Sequence, residues 1–337
     1  MFVDLSGFTR LTETLMQQGK AGAERLSVIL NAIFEPMVSL VYEHGGFIPY
    51  FAGDAFTAIF PLVPVTKSPN HQIPKSPNPQ ITPEKMLALA QRQFELLKQA
   101  STHFKEFQIG MKIGLSFGNV EWGIVGDAHK SFYFRGSAVQ GAADSQSKAK
   151  QHEVIVNEAF SRHLTKQVKL TPLTEKGYFS VSFGQPGSEI EPLEKTGDVE
   201  TLHVQFQNSF LKSFLSDEII ELTGGGEFRT VVPVFIAFEG ADDHASLDAF
   251  ATVVLDQAHN FSGYFKEIDF GDKGGVLVII FGAPVSYENN VERALEFVCA
   301  LHEDLLPAQL ATDLKFKVGV TSGTAFTGMV GGEARSQ

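Results

Sequence analysis

Two stretches of this chain are written to one pattern. KIGLSFGNVEWGIVGD, Lys112 to Asp127, aligns without gaps on KVGVTSGTAFTGMVGG, Lys317 to Gly332, with six identities in sixteen positions, four of them glycine. The elements before each copy run in one order. A strand at Phe2–Leu5 corresponds to one at Val231–Phe238. A helix with apolar residues at Leu26, Ile29, Leu30, Ile33, Phe34, Met37, Val38 and Val41 corresponds to a helix over His244–Asn260. Paired strands follow in both halves, Phe47–Phe51 with Phe56–Phe60 and Gly263–Ile268 with Gly275–Phe281. Next come a helix (about Pro83–His103, and Asn289–Leu305) and a strand (Gln108–Phe117, and Lys315–Val320). Duplication at this period dictates two copies of one α/β domain. Residues 1–164 form the first and 229–337 the second, with a linker at 165–228 and a Pro- and Asn-rich insertion at 61–83 that carries KSPN twice.

Bulk properties narrow the partners. The net charge of −12 comes without a basic stripe, so a nucleic-acid surface is not expected. A nucleotide held by cations and a few amides remains compatible. Cys299 is the sole cysteine, so no intrachain disulfide can form, and it reads as a small core residue on a helix. No apolar run reaches the length of a membrane span and no signal peptide opens the chain, so a cytoplasmic protein is expected. Trp122, in the glycine-punctuated segment, reads as a core residue, and the histidines show no paired metal spacing.

Chemistry is concentrated in two greasy segments that each end in a carboxylate. FVDLSGFT places Asp4 at the end of a strand and Gly7 before a helix. GGFIPYFAGDAFTAIF places Asp54 beside Gly53, where a type II′ hairpin needs a positive φ. The two carboxylates can meet at one sheet edge. Few, hard oxygen donors suit Mg²⁺ or Mn²⁺, and free amides at a helix start suit phosphate. The plainer alternative is that Asp4 caps the first helix and Asp54 is a turn residue.

Together, FVDLSGFT, HGGFIPYFAGDAFTAIF, GLSFGNVEWGIVG and the tandem repeat resemble the class III nucleotidyl cyclases, in particular the tandem, bicarbonate-responsive soluble adenylyl cyclases and their bacterial relatives. The similarity covers about Met1–Phe160 and Arg229–Gly332. It implies an α/β (α+β) fold of two ferredoxin-like domains packed head to tail, with sites between them. It implies adenylate cyclase activity on ATP with two Mg²⁺ or Mn²⁺ ions. Asp4 and Asp54 match the metal-binding aspartates, the main chain of Leu5 serves the metal, and Ser6, Gly7, Phe8, Thr9 and Gly53 match the triphosphate loop and its surroundings. Lys266 matches the purine-reading lysine.

Several positions depart from the family. Ala237 stands where the second half would repeat Asp4, and Asp272 is no clean equivalent of Asp54. Gln140 and Asp144 replace the Asn and Arg that orient ribose and phosphate. Tyr50 and the surroundings of Ala143 lack the basic residues of a bicarbonate site, so bicarbonate control is not expected. The family's remaining partners follow the loop matching Gly323–Gly332, so the second domain is expected to be C-terminally incomplete, with ATPase and repeat regions downstream in a longer chain. A nucleotide-binding module without turnover and a guanylate cyclase are the alternatives.

Overall fold

The computed structural model describes residues 1–62, 81–165, 168–183, 212–214, 226–271, 274–311, 313–332 and 334–336. In chain order the first half gives β1 (Phe2–Ser6), α1 (Phe8–Met16), α2 (Gly19–Glu43), β2 (Phe51–Ala52), β3 (Ala55–Thr57), α3 (Pro83–Ser101), β4 (Gly110–Leu115), β5 (Glu121–Val125), β6 (Ser131–Arg135), α4 (Ser137–Ser147), β7 (Val154–Asn157), α5 (Glu158–Ser161), β8 (Lys169–Pro172) and β9 (Tyr178–Ser182). The second half gives β10 (Glu227–Glu239), α6 (His244–Asn260), β11 (Tyr264–Gly271), β12 (Gly274–Phe281), α7 (Asn290–Ala311), β13 (Lys315–Val320), β14 (Gly323–Thr327), β15 (Gly331–Gly332) and β16 (Arg335–Ser336).

The chain divides into two units that do not follow a single cut. Unit 1 comprises Met1–Asn119, Ser137–Leu202 and Met329–Gln337, and unit 2 comprises Val120–Gly136 and His203–Gly328. Thus the β5–β6 hairpin belongs with the second half, and the β15–β16 segment belongs with the first.

Unit 1 is built on a sheet of order β2-β3-β1-β4-β7-β9-β8, with β1 antiparallel to β3 and β4, and β7 parallel to β4. Strands β8 and β9 lie inside the stretch expected to be linker. They extend the sheet through antiparallel pairing of β7 with β9. The apolar stripe predicted for α2 is the core: Leu26, Ile29, Phe34, Met37, Val38 and Val41 are all fully buried. Burial of each such side chain contributes about 1.5–3 kcal/mol. By length and composition α2 could cross a membrane, but the apolar stripe that qualifies it packs inside unit 1. Residues 329–332 and 334–336 also pack here. The Gly331 amide donates to Asn31 Oδ1 at 3.2 Å, and Arg335 Nη2 donates to the Pro49 carbonyl at 3.1 Å.

Unit 2 repeats the plan with a sheet of order β11-β12-β10-β13, and β10 runs on to pair with β14. Helix α6 has the expected bounds because Asp243 caps it, its carboxylate accepting from the Ser246 amide at 2.9 Å. The duplication holds at the level of register. Asp4 faces Lys112 across β1 and β4, and Ala237 faces Lys317 across β10 and β13.

The β5–β6 hairpin joins the unit 2 core through one face. Val125 and Tyr133 are buried among Ile236, Phe250, Val254 and Ile268. Arg135 donates to the carbonyls of Ala241 and Asp242 at 3.0 and 2.6 Å, and the Gly126 amide donates to Asp248 Oδ1 at 2.8 Å. Burial pushes the Tyr133 phenol up to about 12, and its hydroxyl donates to Glu121. The other face carries Trp122, Ile124 and Phe132, each more than a third exposed. Trp122 is therefore not the core residue the sequence led us to expect. On a two-stranded hairpin only one face can be buried against the sheet, and position 122 falls on the other. Cys299 is likewise exposed, on the outer side of α7.

Candidate active site: two carboxylates on a strand and the adjoining turn

Asp4 sits on β1, the strand flanked by β3 and β4. Asp54 sits in the two-residue turn between β2 and β3, where Gly53 takes φ 64° and leaves Ala52 opposite Ala55. Asp4 pairs with Ala55, and the Leu5 amide donates to the Asp54 carbonyl at 3.1 Å. Strand register thus brings the two carboxyl groups to one edge. Each feels the cost. Burial, then the charge of Asp54, pushes Asp4 up to about 6, while Lys112 and Gln146 pull the other way. Burial also raises Asp54. Two half-buried acids whose charges oppose each other are short of positive charge.

Asp4 does not cap the first helix, so the plainer alternative for that residue is removed. The N-cap of α1 is Gly7, at φ 88°, with no side-chain cap. A Cβ on Gly7 would lie 2.3 Å from the Gln108 carbonyl oxygen, so no other residue fits this turn without displacement. The first-turn amides of α1, from Phe8 and Thr9 onward, have no intrahelical acceptor. Ser6 Oγ is buried without a hydrogen-bond partner among the described residues. The segment Leu5–Thr9 is a cradle of donors beside two carboxylates.

The fit to a divalent ion follows from this donor set. Mg²⁺ and Mn²⁺ take one or two carboxylates and complete their shells with water and phosphate. Among the described residues no group of three or more Asp, Glu, His or Cys is poised for a metal. An all-protein cage is therefore not what these residues offer; a pair of carboxylates open to a phosphate-bearing ligand is.

The remaining expected residues divide. Lys266 belongs to unit 2, on β11 at the register shift between Phe265 and Glu267, and its ammonium donates to Glu267 Oε1 at 2.6 Å. Asp272 lies outside the described residues. Gln140 and Asp144 are joined, Gln140 Nε2 donating to Asp144 Oδ1 at 3.0 Å. Two residues that touch Asp4 escaped the sequence reading. One is Lys112, its cross-strand partner. The other is Gln146, whose Nε2 donates to Asp4 Oδ2 at 2.6 Å from 142 positions away.

Comparison with known proteins gives the family. The family described as "Adenylate and Guanylate cyclase catalytic domain" matches residues 1–191. Adenylate cyclase type 10 of Homo sapiens is 25% identical over 389 aligned positions, and that of Rattus norvegicus 24% over 376. Both alignments take in the whole of this chain but only 22% of the relative, so the chain spans about a fifth of the length of these curated proteins. Among solved structures, a class III adenylyl cyclase-like ATP-binding protein from Pseudomonas aeruginosa superposes with a TM-score of 0.60 at 13% identity. That match covers 99% of this chain and 76% of the other. At this identity the likeness speaks for the fold.

Proposed function

The chain belongs to the adenylate and guanylate cyclase catalytic-domain family, and on that premise we propose that it is an adenylate cyclase, forming 3′,5′-cyclic AMP and pyrophosphate from metal-bound ATP. The observation that carries this reading is the convergence of Asp4 and Asp54 beside the Leu5–Thr9 cradle, with Asp4 pushed up to about 6 partly by Asp54 itself. Such a pair is unfavourable without a cation and suited to one.

In this reading Asp4, Asp54 and the main chain at Leu5 hold two Mg²⁺ or Mn²⁺ ions. When bound, the ions would lower the pKa of the ribose 3′-hydroxyl and neutralise the triphosphate. The protein's own work is positioning. The main-chain amides from Gly7 to Thr9, at the start of α1, receive phosphate oxygens, with Ser6 Oγ as a further donor and Gly53 leaving the turn open beside Asp54. Lys266 donates to the purine ring and favours adenine, once Glu267 shares it. No general-base side chain is required, because charge neutralisation and alignment supply most of the rate.

A second reading is a nucleotide-binding module without turnover. It is favoured by the Gln140–Asp144 pair, since an Asp cannot stabilise charge developing on phosphate. Production of cyclic nucleotide from Mn·ATP and Mn·GTP, with Asp4→Ala as control, decides between them. Cyclic AMP from the wild type alone supports the enzyme. Silence with both nucleotides, alongside retained ATP binding, overturns it in favour of the module. Cyclic GMP in excess over cyclic AMP would make the chain a guanylate cyclase.

A further inference from the structure

The neighbour of Asp4 that comes from farthest along the chain is not accounted for by the duplication, by the carboxylate pair or by the phosphate cradle. Gln146 lies in the last turn of α4. Its amide spans from that helix to β1 and meets one particular oxygen of Asp4, Oδ2, at 2.6 Å. We propose that Gln146 is a positioning residue for Asp4, taking Oδ2 so that the other carboxylate oxygen is the one presented to a divalent cation. This inference rests on the reading of Asp4 as a cation ligand.

Three features show that the contact is built. First, α4 packs closely against the sheet. Its inward residues Gly141, Ala142 and Ser145 are small, and Ser145 Oγ lies 2.6 Å from the Gly141 carbonyl and 3.4 Å from the Leu115 carbonyl of β4, within donating reach of both. Second, the strand beneath is cut back to match. A Cβ on Gly114 would stand 2.1 Å from the Ala142 carbonyl oxygen and 2.4 Å from the Gln146 amide nitrogen, so only glycine lets the Gln146 backbone settle there. From that height a glutamine side chain reaches the carboxylate on the adjacent strand.

Third, the other group that favours the Asp4 charge does not orient it. Lys112 acts on Asp4 through its charge from the cross-strand position. An ammonium on a flexible stem neutralises without choosing between carboxylate oxygens. A planar amide donor does choose. It fixes the rotation of the carboxylate, as hydrogen bonds to metal-ligating carboxylates generally do, and loss of such a partner typically weakens metal binding about 10–100-fold.

The test is Mn²⁺ binding to the full chain in the absence of nucleotide, followed by the loss of the free-ion signal in electron paramagnetic resonance. The wild type and Asp4→Asn come first. If the wild type binds no Mn²⁺, or if Asp4→Asn binds as well as the wild type, the cation reading itself fails before Gln146 is considered. If Asp4→Asn loses binding, Gln146→Met and Gln146→Asn follow. Methionine keeps the volume and has no donor. Asparagine keeps the amide and falls one methylene short. We expect both to weaken Mn²⁺ binding about tenfold or more while the melting temperature in EDTA stays near that of the wild type. Wild-type affinity in both variants overturns the inference and leaves the cation reading intact. Failure of both to fold also overturns it, because Gln146 would then be holding α4 to the sheet and not orienting a ligand.

Discussion

Replacing Asp4 by Asn should stabilise the metal-free protein. The Asp4 carboxyl is raised from 3.8 to about 6, first by burial and then by Asp54. Its folded pKa therefore exceeds its unfolded one. The stability contributed by this group is fully present below pH 3.8 and is lost as pH rises through about 6. Above that, the wild type carries the whole cost of an ionised Asp4. A shift of about two units corresponds to roughly 3 kcal/mol at full strength. The carboxyl is only partly buried, so solvent screening reduces this to roughly 1–1.5 kcal/mol. Asparagine keeps an oxygen to accept from Gln146 and removes the charge. In EDTA at pH 8, Asp4→Asn should thus melt about 1.5–2 °C higher than the wild type. The gap should about halve at pH 5, where the wild-type group is already largely protonated. Saturating Mn²⁺ should reverse the order, since only the wild type gains from a bound ion. An Asn variant no more stable than the wild type at pH 8 in EDTA would refute the reasoning. So would a gap that does not change with pH.

Other substitutions probe other links. Gly7→Ala forces a left-handed φ on a residue whose Cβ would lie 2.3 Å from the Gln108 carbonyl; it should cost about 2–4 kcal/mol, read by chemical denaturation. Arg135→Ala removes the donors to Ala241 and Asp242, worth about 1.5–3 kcal/mol each; amides of Glu121–Val125 and Ser131–Arg135 should exchange hydrogen at least tenfold faster, while those of β12 stay protected. Lys266→Met should lower the preference for ATP over GTP roughly ten- to hundredfold in the cyclase assay, the worth of one charged hydrogen bond.

The parts of this fold that could be read in advance are those carried by local period. The stripe from Leu26 to Val41 is the buried face of α2, and α6 and β13 begin and end where patterning and capping put them. Asp4 and Asp54 could be brought together on paper because a strand end and a two-residue hairpin leave few ways to arrange them. Gln146 could not, since nothing in GAADSQSKA says which carboxylate a helix 142 residues away will meet. The signal that was available was paired smallness: Gly114 on the strand against Gly141, Ala142 and Ser145 on the helix. Trp122 and Cys299 were misread for one reason. Apolar character alone does not say which face of a hairpin or helix is covered. Strands β8 and β9 were hidden in the expected linker because Lys169–Pro172 and Tyr178–Ser182 are only four and five residues long, and the first is mostly exposed.

The traded segments also set a timetable for synthesis. The β5–β6 hairpin finds its place only against residues made much later; its Gly126 amide meets an aspartate 122 positions downstream. At a translation rate of about 5–20 residues per second, Val125 and Tyr133 leave the ribosome roughly 6–24 s before their cavity exists. The Gly331 amide completes the reverse exchange with Asn31, across 300 positions. Neither unit can close on its own half of the message, and a nascent chain of this design holds an apolar hairpin in waiting while more than a hundred further residues are made.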